Sequence, residues 1–464
     1  MTQNRKETIK RVIFTTAIVH IGLGFWFIER GLINADEGWY LYAARQMGSG
    51  LEPYQDFAFF QAPVYPRVLS GLLESGPGSL IAGRWLSWFM LVVGVCTVGL
   101  AAKRISGLKG SMIAMICMGL NPLVVSTGVL AKPYGLAIML LAVGLFFMAG
   151  RDRLRTGIGF FLFGLAVGVR LSLLVPVAVL IWSHRKTRLV ESAMGSMVGM
   201  CVALTPLVGV DPHVLWENLI AVHVDDGGEV TSRMQWAVWQ VGFCGFFLVG
   251  FLHKHRTHIP GLHWAVLFGI LVHAIPAALH VEHAVIMMPL MALALAEMGS
   301  QVYRSKTIFL GGVAVVVSMA TGARWVHLDR GNPTVHQAVE LGHWVAERTD
   351  PRLPLLTTQL ILAVEADRSV CEGFEMGQFG WSPDMTTQRA RALRRLNRSG
   401  LDGCFKAPLG GVMVAESDLS STHRDWVVQR AIKQFGHRRT VDGYGQFSES
   451  LEILVPVGEV LWTE

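Results

Sequence analysis

Between residues 12 and 323, apolar runs of membrane-crossing length alternate with short polar segments. A crossing needs about 20 apolar residues. By that measure about eleven candidate spans are read, near 12–29, 79–101, 111–131, 133–150, 157–169, 172–183, 190–209, 235–252, 261–279, 284–300 and 307–323. The fifth and sixth are short for a ~30 Å apolar core and flank Arg170. They read as half-spans meeting inside protein, where non-helical backbone is tolerated. Two outer-side segments interrupt the pattern: a long first loop at 30–78, rich in aromatic residues, charges and prolines, and a shorter one at 210–234. From 324 to 464 the pattern becomes that of a small α/β unit. Leu353–Leu356, Gly411–Ala415 and Leu451–Val457 read as strands, and His336–Thr349 and Thr386–Asn397 as helices.

Charge placement sets an expected topology. With the N-terminus inside, every basic cluster falls on the cytoplasmic side: Lys103, Arg104 and Lys109; Arg151, Arg153 and Arg155; Arg185, Lys186 and Arg188; Lys254 and Arg256; Arg304 and Lys306. The opposite loops are neutral or acidic, with Asp211, Glu217, Asp225, Asp226 and Glu229 in one. An odd number of spans leaves the C-terminal unit outside. Arg5, Lys6, Lys10 and Arg11 precede the run Val12–Ile28, which reads as a retained first span rather than a cleaved signal.

Composition agrees. Of the 464 residues 52% are hydrophobic and 16% charged, with mean hydropathy +0.43, too little charge to cover a soluble protein of this size. Disorder and a conventional cytosolic enzyme are excluded. The net charge of +6 would suit nucleic acid, but its division into short clusters between apolar runs is a topology signal, and no nucleic-acid partner is expected. Of the six cysteines, Cys96, Cys117, Cys201 and Cys244 lie in apolar runs and read as small buried hydrophobes. Cys371 and Cys404 lie in the polar C-terminal part, and both a disulfide and two free thiols stay open there.

The chemistry concentrates after the first span, in Asn34-Ala35-Asp36-Glu37-Gly38-Trp39-Tyr40. Adjacent acids at a membrane boundary are functional candidates by default. A solvated helix cap explains them equally well, since Asp is a good N-cap. Downstream come Gly50, Pro53-Tyr54, Asp56 and Pro63-Val64-Tyr65-Pro66.

Asp-Glu-Gly-x-Tyr, then Gly-x-x-Pro-Tyr-x-Asp and a proline step into a helix, resembles the first external loop of type-C glycosyltransferases, in the protein O-mannosyltransferase and lipid A aminoarabinose transferase branch. The specific match covers about residues 34–66; span number, long first loop and external C-terminal unit agree loosely. The resemblance implies a catalytic carboxylate in the Asp36-Glu37 pair, a donor sugar on a polyprenyl phosphate, and single-displacement inversion. One departure stands out: aminoarabinose transferases carry a Glu-Lys-Pro-Pro-like step where this chain has Gln61-Ala62-Pro63-Val64.

The expected fold is thus a polytopic α-helical membrane protein of about eleven spans, type-C-like, with residues 1–323 as the transferase domain and 324–464 as an extracytoplasmic α/β domain. Asp36 is the expected base and Glu37 a supporting acid. Asp56, Tyr40 and Tyr54 are expected near substrate, with Lys132, Arg170, Arg84 and His283 as cations for the donor phosphate. Lys132 and Arg84 read equally well as side chains snorkelling to the interface. His280, Glu282 and His283 have metal-ligand types without a ligand spacing, so a divalent metal stays open. Trp216, His223, Asp225, Asp226, Arg233 and Trp236 are candidate lid residues, although anchoring and solvation explain them too. The acceptor would be a lipid, glycan or protein hydroxyl, and the setting a bacterial inner membrane. The rival reading is a translocator or transporter of lipid-linked sugars.

Overall fold

The structure, a computed structural model, describes residues 3–72, 76–150, 152–222, 258–273, 281–301, 333–415, 419, 421–435, 437–441 and 450–456. The expected spans at 235–252 and 307–323 lie outside the described residues, as do 223–234 with most of the candidate lid.

The chain opens with α1 (Gln3–Arg30), α2 (Ala35–Gly48) and α3 (Val64–Leu72), followed by α4 (Ser79–Gly119), α5 (Pro122–Val129) and α6 (Tyr134–Met148). Then come α7 (Arg153–Val169), α8 (Leu174–Ser183), α9 (Leu189–Leu204), α10 (Pro212–Trp216), α11 (Leu262–His273) and α12 (Met288–Gln301). Among the described residues three helical stretches are long and apolar enough to cross a membrane: Gln3–Arg30, Ser79–Gly119 and Leu189–Leu207. The pair α5 and α6, bent by 117°, makes a fourth if read as one broken span. Phe14, Ile18, Phe25 and Trp26 of α1 are exposed, as suits a lipid-facing side.

α4 is two legs rather than one rod. At Gly107 the backbone leaves helical geometry (φ 69°, ψ −165°), in the left-handed half of the map that glycine tolerates. A Cβ on Gly99 would fall 2.7 Å from the sulfur of Met115, so the second leg folds back beside the first. This matches the separate spans expected near 79–101 and 111–131, except that the second breaks at Asn121-Pro122, where α5 begins.

Around Arg170 the chain doubles back on itself. At 1.5 Å per residue, α7 is about 25 Å long. Arg188, at the start of α9, bonds Thr156 near the start of α7 at 2.6 Å. The segment 171–183 is therefore a return leg antiparallel to α7, and Arg170 stands at the turn between the two. α9 then runs beside α7 on a seam of small residues. A Cβ on Gly199 would meet the Phe161 carbonyl at 2.1 Å, and one on Gly164 the Ser196 carbonyl at 2.2 Å. Backbones come this close only where side chains are absent, and such seams hold helices together in lipid, where hydrophobic attraction between helices is lost.

The C-terminal residues form α13 (Val335–Arg348), α14 (Leu360–Glu365), α15 (Thr387–Ala392), α16 (Arg398–Lys406) and α17 (Ser421–Gln434) around a four-stranded sheet. Its strands are β1 (Leu355–Thr357), β2 (Gly411–Ala415), β3 (His437–Val441) and β4 (Leu451–Val455), in the order β1-β2-β4-β3. β1 and β2 are parallel; β4 is antiparallel to both neighbours. All five β2 residues are buried, which explains its unbroken apolar run. Cys371 and Cys404 are joined as a disulfide. This part sits directly on the first loop. Arg45 bonds Asp367 at 3.1 Å and the Arg368 carbonyl at 2.9 Å, the Val370 N–H donates to the Tyr42 hydroxyl at 3.0 Å, and Trp39 meets Phe379 edge-on at 4.7 Å.

Candidate active site

Asn34 caps α2. Its side chain accepts the Asp36 N–H at 3.1 Å, and Glu37 reaches back to the Asn34 N–H at 2.9 Å, completing a capping box. Successive helical residues point about 100° apart, so the two acids diverge: Glu37 turns into the protein and Asp36 toward its surface.

Glu37 is fully buried. Its two oxygens take Arg84 Nε at 2.8 Å and Arg84 Nη2 at 2.6 Å, and one also accepts the Ala131 N–H at 2.8 Å. Arg84 completes its bonding on the carbonyls of Phe27, at 3.0 Å, and Leu32, at 2.8 Å. The pair is closed to solvent, with side-chain exposures of 0% and 1%.

Asp36 keeps 26% of its side chain exposed. Its Oδ2 lies 2.6 Å from Lys132 Nζ, and that buried ammonium also donates to Asn34 Oδ1 at 3.3 Å. Lys132 sits in the bend between α5 and α6, so the bend delivers a cation to the start of α2. The ring of Tyr134, two residues on, lies between two cations, 5.2 Å from Lys132 Nζ and 5.5 Å from the Arg170 guanidinium. His283 stands 6.5 Å from the same ring, and Arg170 donates to Gln61 Oε1 at 3.0 Å. Tyr40 is buried beneath this cluster. Burial raises its phenol above the ordinary value; the Arg170 and Lys132 charges oppose that rise and Asp36 adds to it.

The fold thus gathers Lys132, Arg170 and His283 around Tyr134, with Asp36 held on Lys132 and Tyr40 in the field of both cations. Tyr54 is one contact removed: buried, with φ 69°, its hydroxyl donates to the Gln61 carbonyl. Asp56 is exposed in a turn, where it accepts the Glu52 N–H at 2.7 Å. Three contributors went unassigned in the sequence reading: Asn34, Gln61 and Tyr134. The Asn-x-x-Glu spacing marks Asn34 as a cap, and Gln61 fills the departure in the motif; nothing local distinguishes Tyr134. Among the described residues no group of three His, Cys, Asp or Glu side chains could hold a metal, and the side chains of His280 and Glu282 lie outside them. At Asp36 the Lys132 ammonium already serves as the counter-ion of Oδ2.

Membrane helices, a capped acid after the first long helix and a C-terminal sheet seated on the first loop make up a fold that the chain shares with solved structures. Among solved structures, ArnT from Cupriavidus metallidurans bound to undecaprenyl phosphate superposes with a TM-score of 0.62 at 12% identity, over 95% of this chain and 97% of that one. The apo state of the same protein gives 0.59. The apo oligosaccharyltransferase of Archaeoglobus fulgidus gives 0.50 at 12% identity, over 80% of this chain and 65% of that one. No protein-family model and no curated protein sequence matches the chain. At these identities the likeness speaks for the fold.

Proposed function

We propose that this chain is an integral-membrane glycosyltransferase, moving a sugar from a polyprenyl-phosphate donor to a hydroxyl on a lipid, glycan or protein. One observation carries the reading: of two adjacent acids, one is sealed against Arg84 and the other is partly open, on a buried lysine and beside a second cation. Asp36 takes the acceptor hydroxyl proton as its oxygen attacks the anomeric carbon. The bond from that carbon to the phosphate oxygen breaks, and its electron pair leaves with the lipid phosphate. Lys132 and Arg170, with the partial positive charge at the start of α2, meet the charge that grows there. In a single displacement the anomeric configuration inverts. Glu37 and Arg84 act as a brace rather than as acid and phosphate ligand, because their bonds are spent on each other and on backbone. Tyr40 and His283 line the donor side, and Tyr54 and Asp56 shape the loop that carries Gln61.

The disulfide fits an oxidising compartment, and supports placing residues 324–464 and the site on the extracytoplasmic side of the inner membrane, with the N-terminus inside. The bend between α5 and α6 is the observation that favours a translocator, since broken helices are common in transporters. The two readings separate in a transfer assay on purified wild type and Asp36→Asn, offered radiolabelled polyprenyl-phosphate sugars with membrane extract as acceptor. Loss of a general base costs roughly 10²–10⁴ in rate. If neither protein releases lipid phosphate while both flip the donor equally, the transferase reading is wrong.

A further inference from the structure

The sealed Glu37–Arg84 pair is itself held from outside the membrane helices. Glu365, the last residue of α14, is buried and aims its carboxylate at the start of α4. Its two oxygens take the Gly78 N–H at 2.7 Å and the Leu80 N–H at 2.8 Å. Those amides belong to the first turn of a helix that has no side-chain cap of its own, Gly78 occupying the cap position at φ 85°. A carboxylate there satisfies orphan donors and complements the positive end of the helix dipole. Gly342 lets α13 come close enough for this, since a Cβ on it would fall 2.4 Å from that of Glu365.

α14 reaches the other side of the site with its opposite end. A Cβ on Gly38 would lie 2.7 Å from the Ile361 N and 3.0 Å from the Leu360 side chain, so the start of α14 is pressed against the first turn of α2. One short helix therefore spans from α2, which carries Asp36, to α4, which carries Arg84 one turn beyond Leu80. The contacts converge again at Glu37. Its carboxylate ties Arg84 to the Ala131 N–H, next to the lysine that holds Asp36.

We infer that α14 is a strut that sets the spacing between Asp36 and Lys132, with Glu365 a positioning residue acting through Arg84 and Glu37. The inference rests on the proposed transferase reading for its kinetic consequence, but not for its structural one.

Two measurements on the full chain test it, both with Glu365→Gln, which keeps size and one acceptor but loses the charge and one bond. In the transfer assay kcat per folded molecule falls by about 10–100-fold while KM for the donor stays within about 3-fold, because remote misplacement of reacting groups costs rate more than binding. In hydrogen exchange, the peptides carrying Asn34 and Ala131, whose amides bond Glu37, exchange about 10-fold faster than in wild type. A merely structural role would lower the folded fraction, speeding exchange evenly along the chain rather than at these two peptides and leaving kcat per folded molecule unchanged. Should Glu365→Gln fail to fold, Gly38→Ala presses on the other end of the strut and must give the same two changes. Unchanged kcat, or unchanged exchange at Ala131, overturns the strut. A wild type that transfers no sugar overturns the transferase reading instead, and the exchange result then decides the strut alone.

Discussion

The buried Glu37–Arg84 pair makes the sharpest demand on the reasoning. Each member makes four hydrogen bonds: two to the other, and two to backbone groups, at Asn34 and Ala131 for Glu37 and at Phe27 and Leu32 for Arg84. Arg84→Met removes all four guanidinium bonds. It leaves a carboxylate in a site closed to water, with two amide donors and no countercharge. Breaking a buried pair in this way costs about 3–5 kcal/mol. Glu37→Gln leaves the guanidinium facing a neutral amide, and an effect of about 3 kcal/mol is expected on the same grounds. In the double variant no charge is stranded, so the costs fall short of additive by about 2 kcal/mol. Reversible unfolding in mixed micelles measures all three. Either single variant costing less than about 1 kcal/mol, or strict additivity, would refute the account of Glu37 as a brace. It would return Glu37 to the chemistry that its place beside Asp36 first indicated.

Two further perturbations test the packing and the C-terminal part. Glu375 is buried, and burial pushes its carboxyl up to about 7, partly offset by its own N–H and that of Gly373. A carboxyl raised on folding adds stability below its unfolded pKa of about 4.3, and loses it as pH rises through the folded value. Glu375→Gln should therefore gain on wild type between pH 5 and pH 8, by at most about 3 kcal/mol; a melting-temperature difference that stays flat over that range would falsify the assignment. In the α7–α9 seam, Gly199→Leu must force the helices apart, because even a Cβ would sit 2.1 Å from the Phe161 carbonyl. A loss of well over 2 kcal/mol is expected, in the range of severe overpacking, and near-wild-type melting would show that the seam is not as close as described.

Much of the architecture follows from local pattern. Apolar runs marked helices such as α1, α4 and α9, and the buried β2 was legible from Gly411 to Ala415 because every residue in it is apolar. The Asn34-to-Glu37 spacing is enough to start a helix there, since a capping box closes within four residues. β3, with His437, Arg438 and Arg439, was missed for the same reason in reverse: strand order, not apolarity, puts it at the sheet edge beside β4. The helix read at Thr386–Asn397 stops at Ala392, where Arg394 takes a positive φ and Arg395 turns to lie over Phe60 of the first loop.

What only the tertiary structure decided is the division of labour between Asp36 and Glu37. Their sequence context is nearly the same, and both were candidates for the chemistry. The difference comes from partners 47 and 96 residues away: Arg84, which seals one acid in, and Lys132, which meets the other at an open edge. Arg170 likewise finds its partner only when its helix is paired with the return leg, which sets the guanidinium beside Gln61. Hydrophobic periodicity reports which residues leave water. It carries no information about which buried charge faces which, because that depends on contacts the chain makes only after its helices have come together.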